Sequence, residues 1–170
     1  MKFISTIAVA LLALLTGCAS QGDSKSDFSN SDLMFAAMMI PHHEQALEMS
    51  QLALNISDNP EVVALAQQIY DAQAPEIEEM KSWGNLEANS HEGHMMNGML
   101  DDEELQQLRD AKGANFDRLF LEGMIKHHEG AIEMAQMVVD SKNPRAASLG
   151  QAIIEGQGLE IEKMKELLQP

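Results

Sequence analysis

The chain carries the same helical unit twice. Asp32 to Leu54 aligns with Asp117 to Val139 at a constant offset of 85, sharing Asp, Phe, Met-Ile, His-His-Glu, Ala, Glu-Met and Gln at equivalent places. A second matching segment follows each copy at an offset of 84. Asn59-Pro60 leads to Gln73, Glu76-Ile77-Glu78 and Met80-Lys81; Asn143-Pro144 leads to Gln157, Glu160-Ile161-Glu162 and Met164-Lys165. Such duplication restricts the chain to a fold of two like halves. Apolar residues recur at spacings of three and four in all four segments, and each Asn-Pro pair supplies a helix N-cap with proline at the first helical position.

Short loops at residues 55–59 and 140–143 force each helix pair into an antiparallel hairpin, whereas the connection from Trp83 to Asn115 is long enough to run the length of a bundle. Part of that connection, Asp101 to Lys112, is predicted as a short acidic-capped helix ending at Gly113. The expected fold is all-α, a ferritin-like four-helix bundle of two repeated antiparallel hairpins joined by a long crossover. Within a domain of residues 31–170, repeat one spans 31–83, the crossover 84–115 and repeat two 116–168.

Ahead of the repeats, Met1-Lys2-Phe3 and the apolar run Ile4 to Leu15 read as a secretory signal peptide over residues 1–17, too short to stay in a bilayer. Leu15-Thr16-Gly17-Cys18 resembles the bacterial lipobox, in which a cysteine receives diacylglycerol and becomes the new N-terminus. Residues 18–30 offer little to bury and read as a lipidated, flexible tether. These features predict a periplasm-facing envelope lipoprotein, anchored to the membrane through Cys18. Ala19 and Ser20 include no aspartate retention signal, which points to the outer rather than the inner membrane. Cys18 is the one cysteine in the chain, so its lipidation leaves no thiol for a disulfide, a cysteine nucleophile or a thiolate metal site. With Lys2 removed, 10 basic and 27 acidic residues leave −17 on the mature 153 residues, a surface that repels nucleic acid and anionic lipid.

The repeats also duplicate a set of metal-ligand side chains. On a helix, Met39, His42, His43, Ala46 and Met49 fall within about 120° of one another, and Met124, His127, His128, Ala131 and Met134 make the same stripe. Glu44, Glu48, Glu129 and Glu133 fall on the far side. On the partner helices Gln73, Glu76, Ile77 and Met80 share a face, as do Gln157, Glu160, Ile161 and Met164. If these faces pack together, imidazoles and thioethers from four helices meet in the core. Burying two imidazoles per helix is costly unless they are paired or coordinated. A soft, mostly neutral donor set suits Cu(I), and Ag(I) with it, far better than magnesium, calcium or manganese.

The crossover adds a second Met/His cluster, His91-Glu92-Gly93-His94-Met95-Met96-Asn97-Gly98-Met99, where His91, His94, Met95, Met96 and Met99 read as an exposed capture site. Pro41 removes the backbone bond to the Ala37 carbonyl and is expected to kink the first helix where its His pair begins; Lys126 stands there in the second copy. The two His pairs are therefore expected to bind with different affinity.

Phe116-Asp117-Arg118-Leu119-Phe120-Leu121, Met124-Ile125, His127-His128-Glu129-Gly130-Ala131-Ile132-Glu133-Met134-Ala135, the preceding Gly98-Met99 and the later Gln157, Glu160-Ile161 and Met164 resemble the ferritin-like domain-of-unknown-function family 305, which includes CopM-type periplasmic copper-binding proteins. The resemblance covers residues 31 to about 168. It implies copper binding by Met39, His42, His43, Met49, Met80, Met124, His127, His128, Met134 and Met164, in copper homeostasis or resistance. Gly123 stands where many relatives have a second methionine, and Met38 fills that place in the first half.

The expectation is thus a copper-binding envelope lipoprotein that sequesters its ion or passes it on to a copper-transfer protein, and is not an enzyme. Two rivals stand beside it. A non-metal module could bind a protein partner through the acidic surface. A ferritin-like metal-dependent oxidase would need Glu-x-x-His pairs, and no glutamate here has histidine three residues later.

Overall fold

In the computed structural model, residues 27–84, 86 and 96–169 are described. Residues 1–26, with the signal peptide, Cys18 and most of the tether, lie outside them, as do His91, His94 and Met95. Five helices follow in order: α1 (Asn30–Ile56), α2 (Pro60–Lys81), α3 (Asp102–Asp110), α4 (Gly113–Ala135) and α5 (Pro144–Leu167). Among the described residues no helix is long and apolar enough to cross a membrane.

Local sequence sets most of the boundaries. Ser29 and Asp32 close a capping box at the start of α1, and the Asn59 and Asn143 side chains cap α2 and α5 ahead of their prolines. α1 runs through Pro41 as one helix. Two expected boundaries are corrected. The crossover helix covers Asp102–Asp110 under a capping box from Asp101 and ends at Ala111, so that Gly113 (φ +53°) opens α4 instead of closing α3. α4 loses its regular helix at Ala135, and residues 136–139, expected to be helical, turn with residue 140 through i→i+3 bonds such as Met137 N–H to the Met134 carbonyl.

The helices form a ferritin-like four-helix bundle. α1 packs on α2 and α4 on α5 as the two hairpins, while α1 and α4 meet along a central seam. His42 faces His127 across that seam, and near its far end the Met49 methyl lies 3.3 Å from where a Cβ on Gly123 would stand. The two helices are therefore antiparallel, and the repeats are related by a two-fold through the histidines.

The core is divided accordingly. One apolar cluster holds Ala46, Met49 and Ala53 with Phe120, Leu121, Met124 and Met164. The other holds Ala131, Ala135 and Val138 with Phe35, Ala36, Met39 and Met80, and Met134 packs against it. Each cluster is the image of the other, and the four paired histidines lie between them. At the end where α1 begins, Phe28 stacks on Trp83 at 4.6 Å, and Arg145, held by Glu79, covers Phe28.

The crossover is pinned where it returns. The Gln45 amide donates to the Leu100 carbonyl (2.9 Å) and accepts from its N–H (2.7 Å), so one side chain clamps both backbone groups. Gly98, at φ +88°, lies on Gly130, whose added Cβ would come within 2.0 Å of the Asn97 carbonyl oxygen. Residues 96–100 thus form a strap across the α1–α4 seam. Gly130→Ala is expected to destabilise the protein by about 1–3 kcal/mol, since the strap must lift. Gly156→Ala, on an open helix face with nothing within 4 Å of the added Cβ, should stabilise it by about 0.4–1 kcal/mol. Denaturant unfolding of the two variants measures both.

Candidate metal centre

His42, His43, His127 and His128 are fully buried. Each is held at Nε2 by an oxygen. His43 donates to a Glu76 carboxylate oxygen and His128 to one of Glu160, both at 2.8 Å. His42 donates to the Asn97 carbonyl on the strap (3.1 Å), and His127 to the backbone carbonyl of His42 (2.8 Å). Carbonyl and carboxylate oxygens only accept, so each Nε2 carries the proton and each Nδ1 carries the lone pair. All four Nδ1 atoms are buried with no hydrogen-bond partner. This is the arrangement that orients imidazoles toward a metal, with an outer oxygen fixing tautomer and ring together.

The rings lie close. His42 and His127 centroids are 3.8 Å apart with planes inclined 41°. Burial holds His42 down to about 3 from an ordinary 6.5, aided by the neighbouring His43 and His128 and opposed by the Asn97 hydrogen bond. Burial likewise keeps His127 well below its usual value, with His42 next in effect. His128 is lowered by burial against the pull of Glu160. These three rings are therefore neutral at physiological pH, the form that can ligate.

The methionines divide by the two-fold. Met39 and Met80 are fully buried in one apolar cluster with half-buried Met134 against it; Met124, Met164 and Met49 are fully buried in the other. The two stripes run in opposite directions, so the sulfurs gather at two places. Met39 and Met124 each stand three residues from a histidine, about one helical turn or 5 Å along the axis. Among the described residues, no three or more His, Cys, Asp and Glu side chains are arranged to hold an ion by themselves. Donors of other types, methionine sulfur among them, would have to complete a coordination sphere.

The remaining expected site residues fall elsewhere. Met96 and Met99 lie half-buried in the strap, which is docked on α1 and α4 instead of standing free. Glu44, Glu129 and Glu133 are exposed and Glu48 is half-exposed, the outward placement their helical phase requires. The two carboxylates that hold the histidines, Glu76 and Glu160, are absent from the expected ligand set, although both sit on the faces predicted to be buried. A charged residue repeated on a buried face needs a partner, and that was the available signal. The strap contacts of Asn97 and Gln45 have no counterpart in the repeat and left no signal.

The two halves are inequivalent. Gln68 donates to the second oxygen of Glu160 (3.2 Å), and that carboxylate is 6% exposed. Its counterpart Glu76 is 20% exposed, and Ala152 stands where Gln68 would be repeated.

A four-helix bundle with a buried, oriented imidazole layer between two methionine groups presents donor types of the kind that metal-binding four-helix proteins carry. The model of the domain of unknown function DUF305 matches residues 32–168, and the chain belongs to that family. It is similar to a DUF305 protein from Streptomyces coelicolor, 32% identical with a TM-score of 0.75 over 81% of this chain and 91% of the other. It is also similar to CopM in the Cu(II)-bound form, 36% identical with a TM-score of 0.69 over 80% and 94%. CopM in the Cu(I)-bound form matches at 34% identity and a TM-score of 0.67 over 80% and 94%. No curated protein matches the chain.

Two measurements follow from the site. Unfolded histidines take up protons below pH 6.5, whereas folded His42 resists until about 3. Stability is therefore complete above pH 6.5 and is lost as the pH falls toward 3. The melting temperature of the metal-free protein should fall steadily from pH 6.5 to about 4, and a flat profile would contradict neutral burial. By NMR, the Nε2 proton of His128, behind the sealed Glu160, should exchange with solvent more slowly than that of His43.

Proposed function

We propose that this protein binds copper ions, Cu(I) and Ag(I) foremost, through its buried histidines and methionines, and sequesters or passes them on in copper homeostasis or resistance. The four orphaned Nδ1 lone pairs carry the reading. Four buried imidazoles held by Nε2, with no partner for the other nitrogen, are costly in a core unless an ion takes those lone pairs. Nitrogen and thioether sulfur together form a donor set for a soft to borderline ion, and the chain offers it without a thiol that an oxidising envelope would attack. CopM, similar over nearly all of its length, is described in Cu(II)-, Cu(I)- and Ag-bound forms.

The ion is cargo in this reading, and no reaction is assigned to the protein. Full burial of the four rings supports it, since such a site admits an ion and excludes an organic substrate. The lipobox-like Leu15-Thr16-Gly17-Cys18 supports lipid anchorage facing the periplasm, at the outer membrane, where an acidic surface gathers cations and a transfer partner could collect them.

Metal-free protein titrated with Ag(I), or with Cu(I) under a competing chelator, should melt at a higher temperature, with about 2.7 kcal/mol of added stability when free ion reaches a hundred times Kd. A variant with His42, His43, His127 and His128 replaced by Gln should lose at least about a hundredfold in affinity, about 2.7 kcal/mol. Unchanged melting of the wild type with Ag(I), Cu(I) and Cu(II) would instead favour a module without metal. The single variants His42→Ala and His127→Ala should differ in their losses, because a strap carbonyl holds one ring and a helix carbonyl the other.

A further inference from the structure

Gln73 and Gln157 are unaccounted for by the histidine layer and its outer oxygens. Both are buried, at 1% and 4% exposure, and in both the amide oxygen and the amide nitrogen lack any hydrogen-bond partner. A buried amide with neither end paired is among the costlier side chains a core can contain, and leucine or methionine would fill the space without the penalty. Here the cost is met twice, at equivalent places in the repeat.

Both glutamines sit next to the site. Each stands one turn before the glutamate that holds a histidine, on the same buried helix face. The antiparallel register set by His43 with Glu76, and by His128 with Glu160, brings residue 73 level with Ala46 and residue 157 level with Ala131. Carried across the α1–α4 seam by His42 and His127, the same register sets Gln73 level with Gly123, next to Met124, and Gln157 level with Met38, next to Met39. Each half of the centre thus brings one amide, one turn from the histidines and within one residue of the height of a buried methionine.

We propose that the side-chain oxygens of Gln73 and Gln157 are hard donors that let each half of the centre accept Cu(II) as well as the softer Cu(I) and Ag(I). The inference rests on the copper reading above. Thioether and imidazole satisfy Cu(I) and Ag(I), whereas Cu(II) favours nitrogen and oxygen and takes more ligands. An amide oxygen adds a donor without adding charge to a buried site.

The test is the double variant Gln73→Met, Gln157→Met, which keeps side-chain length and exchanges the amide for a thioether. Beside the wild type it is melted metal-free and titrated with Cu(II) and with Ag(I). The expected result has three parts: a metal-free melting temperature equal to or above wild type, Cu(II) affinity lower by about tenfold or more with an altered Cu(II) EPR spectrum, and Ag(I) affinity within about threefold. A lower metal-free melting temperature would mean that the amides serve the fold and would overturn the proposal. So would unchanged Cu(II) binding, or an Ag(I) loss that matches the Cu(II) loss. Failure of the wild type to bind either ion would overturn the copper reading and this inference together, whereas wild-type binding with an indifferent variant overturns the inference alone.

Discussion

Four imidazole N–H groups, each given to an oxygen, organise the middle of this protein. Burial keeps His42, His127 and His128 neutral, the Nε2 bonds hold all four rings in one orientation, and the consequence is four Nδ1 atoms with no partner inside the protein. No apolar packing would produce that pattern, because a hydrocarbon core gains by excluding such atoms. The bundle is arranged around it: the apolar clusters lie on either side, and each hairpin contributes one carboxylate to hold one ring.

Duplication gives the centre its two-fold, and the single crossover breaks it. Position 45 and its repeat position 130 both touch the strap, yet they carry opposite residues. Gln45 reaches out to clamp Leu100, while Gly130 has no side chain and lets Asn97 and Gly98 lie against α4. One strap crosses the seam, so one half must grip it and the other must make room. The same crossing supplies the Asn97 carbonyl that holds His42, where His127 uses the His42 backbone. Gln68 over Glu160, with Ala152 in the matching place, deepens the difference. Equal sequence motifs therefore sit in unequal surroundings.

Helix count, caps, hairpin pairing and the inward phase of the histidines were legible in the chain, because each depends on residues three or four apart or on an Asn-Pro pair. Boundaries were less so. Gly113 resembles a helix stop, yet it opens α4, since the extended residues 111–112 end α3 first; the end of α4 gives way to turns despite a first copy that stays helical to Ile56.

The sequence by itself determined that two like hairpins would bury paired histidines and methionines, because periodicity and repetition are local properties that survive without a partner surface. The tertiary structure alone decided how those groups meet. Antiparallel packing of α1 against α4 brings the histidines together at the two-fold and sends the methionines to opposite sides of it, a consequence of helix direction that no spacing along the chain encodes. It also decided which oxygens hold the rings, since Glu76, Glu160 and the Asn97 carbonyl reach them from residues 32 to 55 positions away.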